Sequence, residues 1–79
     1  MPTVLYINKY RFYFFSDEGN EPCHIHIKKG KGRAKIWLVP EIEVEYYYDL
    51  SKQEQQKIEQ LVKENYDLLI SKWNEHFEK

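Results

Sequence analysis

The sequence predicts a small α+β domain: an antiparallel sheet of four or five strands with a C-terminal helix packed on one face. Apolar and polar residues alternate in short runs over the first part of the chain, the period of half-buried strands. Turn-forming residues punctuate those runs. From Leu50 onward the apolar period lengthens to three and four residues, which is helical. Residues 1–79 thus form a single domain, strand-rich over 1–49 and helical over 50–79.

Pro2 to Tyr6 reads as the first strand, with Pro at its edge where a missing N–H does least harm. Ile7-Asn8-Lys9 is a turn. Tyr10-Arg11-Phe12-Tyr13-Phe14-Phe15 is an aromatic strand with little polar alternation, which predicts a central strand covered on both faces. Ser16 to Pro22 is a polar loop rich in turn formers. Cys23 to Lys28 alternates: Cys23, Ile25 and Ile27 share one face, and His24, His26 and Lys28 share the other. Lys29-Gly30-Lys31-Gly32 turns the chain, the glycines allowing the positive φ of tight hairpins. Arg33 to Leu38 alternates again. A hairpin loop of even length sets Ile27 opposite Ala34 and Ile25 opposite Ile36. It then sets Lys28 opposite Arg33, His26 opposite Lys35 and His24 opposite Trp37. A slip of one residue would put apolar against polar, so this register is preferred.

After a turn at Val39-Pro40-Glu41, the run Ile42 to Tyr48 predicts Glu43, Glu45 and Tyr47 on one face. A tight turn would set Glu43 beside Trp37 and Glu45 beside Lys35. Ser51 with Glu54 three residues on is a capping box that starts the helix. Ile58, Leu61, Val62, Tyr66, Leu69, Ile70, Trp73 and Phe77 form its stripe, and Leu68 widens it. A helix running from there to the end is long for so small a domain, and Asn65 is where it would kink or split. The stripe is expected to meet Ile25, Ile27, Ala34, Ile36 and Leu38, leaving the histidine face pointing away from the helix.

Composition narrows the function classes. Net charge is −1 with 32% charged residues, which argues against a globally basic nucleic-acid binder but leaves room for a local patch. Such a patch runs from Lys28 to Lys35, with five positive residues in eight. The lone Cys23 forms no internal disulfide and fits a reducing compartment. No apolar run is long enough for a membrane span and the start lacks signal-peptide character, so a cytoplasmic protein is expected. A chain of 79 residues buries a modest core, which a partner or homo-oligomer formation would reinforce.

The histidine face carries the candidate chemistry. His24 and His26, with Glu45 as an acid–base counterpart, suit proton transfer near neutral pH in metal-independent RNA cleavage. Lys28, Arg33 and Lys35 would hold phosphate, while Trp37 and Tyr47 would stack on bases. The bland alternative is a wet sheet face whose lysines discourage edge aggregation. A different use of the same strand is metal binding: His24 and His26 offer two imidazoles to a transition metal such as Zn, with Glu43 or Glu45 as further ligands. Cys23 lies on the wrong face to join them, and His76 is distant. A further possibility is a Pro2 amine base as in small tautomerases, whose strand–helix–strand unit differs from this order of elements.

Taken together, the opening Met1-Pro2-Thr3-Val4, the Pro22-Cys23-His24-Ile25-His26 strand, Ala34-Lys35-Ile36-Trp37-Leu38, Lys63-Glu64-Asn65 and Trp73-Asn74-Glu75 resemble the short prokaryotic proteins of domain-of-unknown-function family 4160. The resemblance spans nearly the whole chain. It implies that Cys23, where such proteins often carry Pro, is dispensable. It also implies a small cognate protein encoded nearby, since some members are described as toxin–antitoxin components. The function expected is therefore a component of a toxin–antitoxin-like pair that binds RNA or a protein partner. A non-catalytic protein-binding module is the alternative.

Overall fold

The computed structural model describes residues 3–14 and 21–77. Pro2 and most of the loop before Glu21 lie outside them, as does Phe15. The fold is α+β. Five strands, β1 (Thr3–Ile7), β2 (Tyr10–Tyr13), β3 (His24–Lys29), β4 (Gly32–Trp37) and β5 (Glu43–Tyr48), form one antiparallel meander in the order β1-β2-β3-β4-β5. Two helices follow, α1 (Lys52–Glu64) and α2 (Tyr66–Phe77).

Turn chemistry fixes the hairpins. Asn8 and Lys9 join β1 to β2 with φ of 51° and 73°, the paired left-handed conformation of a two-residue hairpin loop. Gly30 and Lys31 join β3 to β4, and only Gly30 is left-handed there, at φ 57°. Gly32 has a different use from the one expected. A Cβ on it would lie 2.7 Å from the Asp49 carbonyl oxygen and against the Leu50 side chain, so glycine lets the β5–α1 connection press onto the hairpin. The β3–β4 register matches the sequence expectation at every pair, from His24–Trp37 to Lys28–Arg33.

β5 departs from expectation. Its pairing with β4 shifts between Lys35 and Ile36, so Lys35 faces Tyr46 rather than Glu45. An extra residue in one strand reverses the parity of everything beyond it. Tyr47 therefore lies opposite Ala34, on the helix-covered face, and its hydroxyl donates to Glu59 Oε2 at 2.6 Å. Burial there and this bond to a carboxylate push the Tyr47 phenol well above its usual range. Tyr47 is thus a structural link to α1 and not a ring on the histidine face.

One core serves the whole domain. Phe12, Ile25, Ile27, Ala34 and Ile36 from the sheet, with Phe14 and Leu38 just past the ends of β2 and β4, cluster with Ile58, Leu61, Val62, Leu69 and Trp73 from the helices. Each fully buried aliphatic side chain contributes about 1.5–3 kcal/mol, which outweighs the small penalties on the opposite face. Leu68 is off the stripe and 39% exposed.

The two ends of α1 follow from named side chains. Ser51 and Glu54 complete the capping box: Glu54 N–H donates to Ser51 Oγ at 3.1 Å, and Ser51 N–H to Glu54 Oε1 at 2.7 Å. The other Glu54 oxygen accepts from Lys29 Nζ at 2.8 Å, which ties the helix start to β3. At the far end, the Asn65 side chain donates to the Leu61 carbonyl at 2.8 Å, and the Leu69 N–H returns to the Asn65 carbonyl at 2.9 Å. Local bonding by Asn competes with the regular ladder, and the helix breaks there. The Tyr66 hydroxyl then anchors α2 to the Leu38 carbonyl at 2.6 Å.

The Lys29 bond and the Ser51 backbone hold the Glu54 carboxyl down at about 2, below its ordinary 4.5. A depressed carboxyl stabilises the fold above its unfolded pKa, and that contribution is lost as pH falls through the folded value. Urea midpoints are therefore expected to drop between pH 4.5 and pH 2. The Glu54→Gln variant, which keeps a capping acceptor, is expected to show a shallower drop over the same window; an equal drop would assign the acid sensitivity to other groups.

Candidate nucleic-acid interface

The face of the sheet opposite the core is built of cross-strand rows. The first crosses all five strands: Tyr6 is opposite Arg11, Arg11 opposite Lys28, Lys28 opposite Arg33, and Arg33 opposite Tyr48. Three cations thus stand side by side between two tyrosines. Lys28 and Arg33 are exposed, and Tyr6 and Tyr48 are each 67% exposed. Arg11 is half-buried, with its guanidinium carbon 5.3 Å from the Tyr13 ring centre. Like charges directly opposite each other in a sheet cost roughly 0.2–1 kcal/mol per pair. The row concentrates positive potential at one end of an otherwise nearly neutral molecule.

The second row is Tyr13, His26, Lys35 and Tyr46. The rings of Tyr13 and His26 stack at 5.4 Å, and His26 is only 6% exposed. Lys35 is engaged within the protein: its Nζ lies 3.5 Å from Glu21 Oε1 and 4.4 Å from the centre of the Trp37 ring. The third row, His24, Trp37 and Glu43, sits among carboxylates. Trp37 Nε1–H donates to Glu45 Oε1 at 2.6 Å. The face is therefore polarised, cationic near the β3–β4 turn and acidic around Trp37.

His24 does not lie open to solvent as the alternation suggested. It is 0% exposed, packed by Trp37 and Trp73 at 5.0 Å each and by His26 at 5.1 Å. Trp73 comes from α2, so the helical layer reaches the histidine side of β3 and the face does not point wholly away from it. A carbonyl only accepts, so His24 Nδ1 carries the proton that bonds Pro22 O at 2.9 Å. Its Nε2 lies 3.9 Å from Glu21 Oε1. This environment builds His24 into the packing. His24→Ala is expected to lower stability by about 2–4 kcal/mol, the combined loss of a buried ring and a buried hydrogen bond. Denaturant unfolding checks this; an unchanged midpoint would return the ring to the surface.

Glu45, expected beside Lys35 as an acid–base partner, instead accepts the Trp37 N–H. Among the described residues no three His, Cys, Asp or Glu side chains converge as a metal site requires. The Cys23 thiol is buried, which pushes its pKa up to about 11. Among the described residues no helix is long and apolar enough to cross a membrane.

Of the residues expected to bind, Lys28 and Arg33 stand together and exposed, while Lys35 and Trp37 are bonded to acids of their own face. Sequence reasoning missed Tyr6, Arg11, Tyr46 and Tyr48. The arithmetic that set the β3–β4 register would have placed the first two. A two-residue loop at Asn8-Lys9 puts Ile7 opposite Tyr10 and hence Tyr6 opposite Arg11.

A family model described as a domain of unknown function, DUF4160, matches residues 10–74. The chain belongs to this family. The DUF4160 region begins at β2 and runs into α2, so it takes in Arg11, Lys28, Arg33 and Tyr48 of the row, both buried histidines and Trp73, but not Tyr6. No curated protein and no solved structure matches the chain significantly.

Proposed function

We propose that this DUF4160 protein is an RNA-binding component of a toxin–antitoxin-like pair, and that it grips the phosphate backbone on the open face of its sheet. The observation that carries this reading is the unbroken row of Arg11, Lys28 and Arg33 across three adjacent strands. A phosphate backbone laid on the exposed pair Lys28 and Arg33 releases counterions and relieves the repulsion between those two, so polyanion binding gains from both. The reading is non-catalytic. General acid–base cleavage needs a histidine that meets the substrate, and His24 is enclosed by two tryptophans with Nδ1 bonded to backbone.

Fluorescence anisotropy with a labelled RNA tests it. Binding that weakens steeply with salt, with the RNA recovered intact, is the expected result. Absence of binding in low salt would remove the reading. Cleavage that survives extensive purification would bring His26 and Glu45 back as acid–base candidates.

A protein partner is the second reading, favoured by a separate observation. A cleft of about 590 Å³ opens where α1 meets α2, lined by Ile42, Asn65, Tyr66 and exposed Leu68 and by three acids, Glu41, Glu64 and Asp67, against one base, Lys63. It suits an apolar side chain flanked by basic ones. Co-purification with the product of the neighbouring gene, lost on Leu68→Asp, is the outcome that would support it.

A further inference from the structure

The ends of the cation row carry information that its charges do not. Tyr6 and Tyr48 occupy the two edge strands at the same row position, on the same face. Both are 67% exposed. Four interstrand steps of about 4.8 Å separate them, so the row spans about 19 Å. Tyrosine is a good strand former, and that alone would account for either ring. It would not account for both closing the ends of one line of cations.

We infer that the row takes single-stranded RNA laid across the strands, with Tyr6 and Tyr48 as stacking platforms that select unpaired bases over duplex. This rests on the RNA-binding reading above and adds the form of RNA. Phosphates meet the exposed Lys28 and Arg33 whether they come from a single strand or a duplex. The rings do not behave alike: a base already stacked and paired has no free π face to offer, whereas an unstacked base stacks on an exposed aromatic side chain. The acidic side chains around Trp37 set the direction. Glu21, Glu43 and Glu45 repel phosphates from that end of the face, so a backbone follows the row and does not run along the strands.

The experiment compares a short labelled oligouridylate with the same strand annealed to its complement, in low salt. Wild type is expected to bind the single strand about tenfold tighter. Tyr6→Ala and Tyr48→Ala should each weaken single-strand binding about fivefold or more and leave duplex binding unchanged, while Tyr6→Phe and Tyr48→Phe retain it. Lys28→Ala/Arg33→Ala should weaken both forms together. Equal affinity for single strand and duplex, or alanine variants that bind the single strand like wild type, would overturn the inference and leave RNA binding standing. Wild type that binds neither form would overturn both.

Discussion

The Lys28→Glu/Arg33→Glu double variant is expected to lose RNA binding while folding as well as wild type. The two residues are direct cross-strand partners and both are exposed. Reversal leaves a like-charged pair between β3 and β4, so that repulsion is unchanged. It also places a carboxylate on β3 directly opposite Arg11, a favourable exchange. The net effect on stability is therefore within about 1 kcal/mol. Binding responds differently, because three adjacent positive charges become one positive and two negative. The neutral Lys28→Ala/Arg33→Ala variant gives the quantitative form of the same prediction. For single strands, log Kobs falls against log salt with a slope of about −0.7 per phosphate neutralised. Two contacts, at Lys28 and Arg33, add about −1.4 to the slope, and removing both takes that share away. Anisotropy titrations over a salt series read both slopes. An unchanged slope in the alanine variant would place the phosphate contacts elsewhere on the molecule.

Only half of that row is legible in the sequence. The β3–β4 register follows from the strict pleat and from matching apolar partners, so Lys28 and Arg33 came out side by side from sequence alone. The break at Asn65 was legible too, because a helix of that length in so small a domain needs a stop and Asn supplies one. The bulge in β5 was not. Glu43-Val44-Glu45-Tyr46 alternates cleanly, and nothing in the residues announces that one of them is surplus; yet this is what sends Tyr47 to Glu59 and Tyr46 and Tyr48 to the open face. The burial of His24 was hidden for another reason. Alternation tells which side chains share a face, but not which distant residue covers them. Here the covering group is Trp73, more than forty positions along the chain, on a helix whose separate direction is set at Asn65.

Trp73→Ala is accordingly expected to be among the most damaging single substitutions outside the sheet. Trp73 is 7% exposed and joins three groups: it meets Phe14 edge-on at 5.3 Å, Phe77 at 4.2 Å and His24 at 5.0 Å. Truncating a buried Trp costs about 3–5 kcal/mol. A chain of this length has a total stability of roughly 4–12 kcal/mol, so the variant loses at least a quarter of it. Loss should begin in α2, whose other anchors include Leu69 in the core, Ile70 and Phe77 packed against it, and the Tyr66–Leu38 bond at its start. Urea unfolding should show a lowered midpoint, and near-ultraviolet dichroism should lose the signal of the packed rings. Trp73→Phe keeps an aromatic edge against Phe14 and should recover part of the difference, while Leu68→Asp on the exposed side of the same helix should change stability within about 0.5 kcal/mol. The variant should also change the histidines: with Trp73 removed, His24 gains a solvent path, and its ring protons should lose the ring-current shifts that Trp73 imposes in NMR spectra. A Trp73→Ala protein as stable as wild type, with His24 still shielded, would mean that α2 does not cover the histidine side of β3 and that Trp37 and His26 enclose the ring without it.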